Sequence, residues 1–203
     1  MSLGVVERRQ GRYQHAAQLF RQVLADLGDT DPERGWVEAL TGLGLVELHQ
    51  GLHEQAAGHL ERARTVCREI GDRHCEADAL VNLGLTEVRR GRAERAAELL
   101  ERALAQCREI GHRLGEAEAL AALGEMLLAD GRPDQACDKY AAALDVAGRT
   151  LDVELEARAR RGLEAAREAR SDAHGGPAPR RTHKSLAMTN GWCHPAHNPR
   201  PIC

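Results

Sequence analysis

LGLTEVRRGRAERAAELLERALAQCREIGHRLGEAEALAA, residues 83 to 122, is one copy of a unit that recurs on both sides at a step of forty residues. Copies that start at Leu3, Leu43, Leu83 and Leu123 keep four positions unchanged. These are the leading Leu, the next Gly (Gly4, Gly44, Gly84, Gly124), a second Gly (Gly11, Gly51, Gly91, Gly131) and an Ala (Ala16, Ala56, Ala96, Ala136). A late alanine keeps the same step as Ala39, Ala79, Ala119 and Ala159. Self-similarity at such a period marks a solenoid, in which each unit buries its apolar face against its neighbours.

Each copy divides at its second Gly into two helical stretches. From Asp72 to Arg90, the apolar and small residues Ala79, Leu80, Leu83, Gly84 and Val88 fall at three- and four-residue intervals, the spacing of one buried helical face. From Ala93 to Ile110, residues Ala96, Ala97, Leu100, Ala103, Leu104 and Cys107 repeat that pattern. Gly91 and Gly111 follow the two stretches, and glycine adopts the left-handed conformation that ends a helix. Asp72 after Gly71, Asp31 before Pro32, and Gly131 before Pro133 mark helix starts.

Gly44, Gly84 and Gly124 fall inside the first helix of each pair, where Gly costs about 1 kcal/mol relative to Ala. A cost that recurs has a structural cause: the second helix crosses there too closely for a Cβ, with Ala56, Ala96 and Ala136 as the facing residues. Leu60, Leu100 and Tyr140 are then the large residues that fill the space between successive hairpins.

These residues resemble the tetratricopeptide repeat. Its pattern puts Leu-Gly in the first helix, Gly near the turn, and Ala, a large apolar residue and Ala in the second, matched here by Leu83, Gly84, Gly91, Ala96, Leu100 and Ala103. The aromatic of the family's first helix is replaced by Glu47, Glu87 and Leu127, and its helix-ending Pro by Arg68 and Arg108. The step is forty where about thirty-four is usual. Long repeats of this kind are similar to those in the C-terminal sensor regions of bacterial ATP-dependent transcription regulators, including the antibiotic regulatory protein family of actinomycetes. The resemblance spans residues 1–170 and implies an all-α fold: a right-handed α-solenoid of antiparallel helix hairpins. It further implies a non-catalytic module for protein–protein interaction, belonging to the sensor or scaffold part of such a regulator.

Composition agrees with helices. Aromatic residues make up 2% of the 203, so Ala and Leu carry the core. The net charge of −3 is unevenly spread: of 28 basic and 31 acidic residues, four and one follow Arg170. No basic face is concentrated enough to predict direct nucleic-acid binding. Lys139 and Lys184 are the only lysines, a bias that fits a GC-rich bacterial genome. No apolar run approaches a membrane span, and MSLGVVERRQ lacks a secretory hydrophobic stretch, so a cytoplasmic protein with no membrane partner is expected. Its six cysteines are then expected to be mostly reduced thiols, with the four inside the repeats in packing roles. Cys67 and Cys107 share a register with Leu27 and Ala147, Cys137 with Ala17, Ala57 and Ala97, and Cys75 with Gly35 and Gly115.

The first copy starts at its Leu-Gly pair, leaving a stub of Leu3, Val5 and Val6. The chain therefore reads either as a fragment of something longer or as one whose start was assigned late. Residues 151–170 form a capping helix with Val153, Leu155, Ala159, Leu163 and Ala166 on one face. From Ser171 the composition changes, and residues 171–203 are expected to be disordered.

The repeats assemble no catalytic set: no phosphate loop with Lys, no His-Glu-x-x-His and no nucleophile elbow. Glu98 and Arg102, one turn apart, form a surface helix pair. No enzyme activity, cofactor or metal is predicted. Cys193, His194, His197 and Cys203 match no familiar zinc spacing. In the resembled family the first helices line a concave groove, which here implies Thr41, Leu45, Leu48, His49, Val81, Leu85, Val88, Arg89 and Leu128 as the residues that meet a peptide or helix of a protein partner. The Lys and Asn clamp for a C-terminal carboxylate is not evident. Two alternatives stand beside the regulator reading: a free-standing adaptor, or a ribosomal-peptide precursor whose helical leader precedes a modifiable tail with Trp192, Cys193 and Cys203.

Overall fold

The computed structural model describes residues 2–27, 34–150 and 152–175, and among these it holds nine α-helices and no strand. In chain order they are α1 Leu3–Arg9, α2 Tyr13–Leu27, α3 Arg34–His49, α4 His53–Glu69, α5 Arg73–Arg89, α6 Ala93–Ile110, α7 Arg113–Ala129, α8 Pro133–Ala147 and α9 Val153–Gly175.

The turns follow from the glycines. Gly11, Gly51, Gly91 and Gly131 after the odd-numbered helices, and Gly71 and Gly111 after even-numbered ones, all have φ between 69 and 77°. At the end of α5 the Gly91 N–H donates to the Val88 carbonyl (3.0 Å) and the Arg92 N–H to the Glu87 carbonyl (3.0 Å). This paired closure satisfies carbonyls that the helix end leaves open. The same two bonds recur at Gly51 and Leu52 and at Gly131 and Arg132, so one turn chemistry sets every hairpin angle. Asp72 caps α5 by accepting from the Cys75 N–H at 3.1 Å, and Pro133 occupies the first turn of α8. The Asp31–Pro32 start lies outside the described residues.

Odd-numbered helices pack on the next odd-numbered helix, α1 to α3 and on to α9, while among the described residues the backbones of the even-numbered helices stay apart and α6 and α8 meet through the side chains of Glu101 and Lys139 at 3.1 Å. The odd-numbered helices thus form the inner layer of a solenoid and the even-numbered ones the outer. Leu60, Leu80, Leu100 and Leu123 are at most 2% exposed in the seam between layers, each contributing roughly 1.5–3 kcal/mol by burial.

The mid-helix glycines are crowded by the large residue of the paired helix and not by its alanine side chain. A Cβ on Gly84 would lie 2.5 Å from Leu100 Cγ, and one on Gly44 2.8 Å from Leu60 Cγ, with the Ala56 carbonyl oxygen at 3.3 Å. On Gly124 it would lie 2.9 Å from Tyr140, and on Gly4 2.7 Å from Phe20. The missing Cβ therefore makes room for a side chain that stands upright in the seam, which small alanines leave free.

The capping helix is longer than its sequence pattern suggests. It runs to Gly175, because Ser171, Asp172 and Ala173 continue the turn, with Ser171 Oγ donating to the Arg167 carbonyl at 3.0 Å. The expected disorder of the tail concerns residues that, from 176 on, lie outside the described part of the chain.

Candidate functional site: the concave face

Residues predicted to line the groove fall at common register positions on α3, α5 and α7. Leu45, Leu48, Leu85, Val88 and Leu128 are half-buried, as is Thr41, and Leu85, Val88 and Leu128 also pack against the core. Val81 is 1% exposed and sits in the core, so it offers nothing to a ligand, unlike the reading from sequence. His49 is exposed and stacks on Tyr13, with ring centroids 5.0 Å apart. Burial, then the charges of Arg8 and Arg89, lower its pKa. Arg89 is tied to Glu125 on α7 at 2.6 Å, and Glu125 also faces Arg158 on α9 at 3.4 Å.

Between α1, α3 and α5 the face deepens into a cavity of about 490 Å³ lined by Val5, Val37, Thr41, Leu45, Arg8 and Glu38 among others. Arg8 Nε is buried there without a hydrogen-bond partner.

Sequence reasoning missed an acidic row. The residue before each late alanine is Glu38, Asp78, Glu118 and then Arg158. Asp78 accepts from His112 Nε2 at 2.7 Å, and the His112 ring meets His74 edge-on at 5.1 Å. Burial raises the pKa of Asp78, and the His112 bond works against it. Glu118 is pushed up to about 7, first by burial and then by the Asp78 charge, with Arg158 and His112 opposing. The signal was present, since these positions keep the step of forty, but nothing in the sequence says which of the exposed positions turn inward.

Two of the cysteines depart from expectation. Cys67 at the end of α4 and Cys75 in the first turn of α5 form a disulfide, with Cα atoms 5.6 Å apart. The eight-residue separation across the Gly71 turn brings them together, and Cys75 reaches the edge of the cavity. Cys107 and Cys137 are buried free thiols. Among the described residues no group of three or more His, Cys, Asp or Glu is arranged to hold a metal, and no helix is long and apolar enough to cross a membrane. Cys193, His194, His197 and Cys203 lie outside the described residues.

Sequence models described as tetratricopeptide repeat match residues 3–69, 37–109 and 76–149. No curated protein sequence matches the chain. Among solved structures, it is similar to the TPR-like repeats of a putative kinesin light chain from Podosopora anserina, with 18% identity, a TM-score of 0.63 and 85% of each chain covered. BtubC from P. vanneervenii gives 18% identity and a TM-score of 0.60 over 91% of this chain and 84% of that one. The Rap conjugation gene regulator of the plasmid pLS20, in complex with the Phr* peptide, gives 14% identity and a TM-score of 0.64 over 85% of this chain and 52% of that one. At these identities the likeness is one of fold.

Proposed function

Because this chain belongs to the tetratricopeptide repeat family, we propose that it is a non-catalytic interaction module that holds a peptide or helix of a protein partner on its concave face. The observation that carries this reading is the apolar strip of Leu45, Leu48, Leu85, Val88 and Leu128, left half-buried on three successive inner helices. An apolar strip edged by charge is what an amphipathic segment fits. The Rap regulator, of the same fold, is in complex with a peptide, which supports a polypeptide ligand. Thr41, Glu38 and Arg8 at the cavity supply the polar edge, and His49 and Arg89 lie at the far end of the strip.

Within that reading, the module is the sensor or scaffold part of a bacterial transcription regulator, supported by the forty-residue step. An adjacent gene for an ATPase with a DNA-binding region is the expected genomic neighbour. Peptide-modifying enzymes beside it would favour the precursor reading instead.

The test compares the full chain with its Leu45→Glu, Leu85→Glu double variant as bait. Circular dichroism and the melting temperature establish that the variant is folded. The expected result is loss of the captured partner. Unchanged capture by a folded variant removes the groove from the proposal.

A further inference from the structure

The acidic row and the apolar strip run side by side over the same inner helices. Glu125 is matched by two arginines and Asp78 by a histidine. Glu38 and Glu118 have no hydrogen-bond or ion-pair partner among the described residues, although Glu118 is half-buried. Glu38 and Asp78 line the cavity of about 490 Å³ together with Val5, Val37 and Leu45, and Glu118 holds the same register on the next inner helix. Carboxylates in a row beside apolar side chains are a place for cations carried on an apolar segment.

One such segment follows α9 directly. Residues 176–203 contain Arg180, Arg181, Lys184 and Arg200 and no acidic residue, with Leu186, Met188 and Trp192 between the last two cations. Reach decides which cations can serve. By register, the row crosses α9 at Arg158, so it lies about 25 Å back from Gly175 at 1.5 Å per helical residue. At no more than about 3.4 Å per residue, Arg180 and Arg181 extend only about 20 Å. Lys184 reaches about 30 Å, enough for Glu118 on the neighbouring inner helix. Arg200 reaches beyond 80 Å, ample for Glu38 two inner helices further at about 10 Å each.

We propose that residues 176–203 occupy the concave face of their own chain, with Lys184 at Glu118 and Asp78, the Leu186–Trp192 stretch on the apolar strip, and Arg200 toward Glu38. The tail then competes with the partner for the groove. This rests on the reading of that face as a polypeptide site.

The lysine content makes the contact directly measurable. A carbodiimide joins a lysine amine to a carboxylate with no spacer, and Lys139 and Lys184 are the only lysines. Lys139 lies 3.1 Å from Glu101, so that crosslink is the built-in control. On the dilute full chain the expected product is Lys184 joined to Glu118 or Asp78, in yield similar to Lys139–Glu101 and falling several-fold at high salt. A 1:1 mixture of light and ¹⁵N-labelled chains should give this crosslink within one isotope class only. Formation of Lys139–Glu101 without any Lys184 link to the row overturns the proposal, and so does a Lys184 link found between the two isotope classes. Lys184→Glu with Arg200→Glu should raise partner capture several-fold. If capture does not rise while Leu45→Glu, Leu85→Glu still abolishes it, the tail is excluded and the groove reading stands.

Discussion

Gly162 of α9 lies directly against the ring of Tyr140, so that a Cβ built on it would sit 2.2 Å from Tyr140 Cε1. The first copy repeats the pair: a Cβ on Gly42 would lie 2.3 Å from Phe20 Cζ. In the two central copies the large residue is Leu60 or Leu100, and the partner position holds Asn82 or Ala122. Each aromatic in the seam is therefore clasped by glycines from both flanking inner helices. Each leucine tolerates a side chain on the second.

Gly162→Ala should destabilise the chain by about 1–2 kcal/mol, because overpacking costs about 1–3 kcal/mol against at most about 1 kcal/mol gained in helix propensity. Adding Tyr140→Leu should recover much of that loss, giving a favourable interaction energy of about 1 kcal/mol in the double-mutant cycle. Urea unfolding of the four proteins checks it. A stabilising Gly162→Ala would show that the ring can step aside.

That pairing marks the limit of what the sequence discloses. The step of forty, the hairpin-closing glycines and the inward helix faces are legible because they repeat along the chain. The partner of Gly84 was misread, because spacing shows where a Cβ is missing but not whether a neighbouring helix or an upright side chain takes the room. The disulfide and the acidic row were missed for a similar reason: each depends on which way one exposed or half-buried position turns in three dimensions. The replacement of the family's aromatic by Glu47 and Glu87 was visible, but the way each charge is met was not.

Glu47 is 1% exposed and lies 2.7 Å from His59 Nδ1, with Arg21 at 3.9 Å. At the same register, Glu7 is met by Arg12 and by His15 at 3.1 Å, and Glu87 by Arg90 at 2.6 Å and Arg92 at 3.6 Å. The fourth copy has Leu127 there, 5% exposed in the core. His59→Ala should cost about 2–4 kcal/mol, since it strips a buried carboxylate of its nearest partner. Glu47→Leu should fall within about 1 kcal/mol of the parent, and the double variant should recover most of the loss. Denaturant midpoints decide. If Glu47→Leu is as damaging as His59→Ala, the pair contributes net stability.

Glu118 links folding to pH. Its pKa rises from 4.5 to about 7 in the folded chain, with burial as the first cause, the Asp78 and Asp152 charges adding, and Arg158 and His112 opposing. Between those values the folded chain holds more proton at this site than the unfolded chain, so its contribution to stability falls as pH rises from about 4.5 to about 7. At about 1.4 kcal/mol per pH unit the effect is bounded at roughly 3 kcal/mol. With Lys184→Gln in both proteins, so that no tail amine meets the site, Glu118→Gln, neutral throughout, should lose less stability than its parent between about pH 5 and 7.5. Parallel pH profiles in urea unfolding would count against it.

Carried forward by forty residues, Cys67 and Cys75 become Cys107 and Gly115. The backbone geometry that brings the first pair to a Cα separation of 5.6 Å should therefore recur one hairpin later. A Cβ on Gly115 would lie 2.8 Å from Cys107 Sγ, close to the roughly 3 Å that a bonded sulfur keeps from the far Cβ. Gly115→Cys should thus form a second disulfide when a small-molecule disulfide accepts the two electrons and two protons. Non-reducing peptide mapping should find Cys107 joined to the new residue, with Cys67–Cys75 retained. The His112 ring must move, since its Cδ2 would be 2.6 Å from the new Cβ, and that releases Asp78. Closing so short a loop gives about 2.5 kcal/mol in the chain-entropy description. The lost hydrogen bond, worth about 1 kcal/mol, leaves a net gain of about 1–2 kcal/mol in unfolding experiments. A variant that stays reduced under conditions that oxidise Cys67 and Cys75 would show that the two turns differ despite their common step.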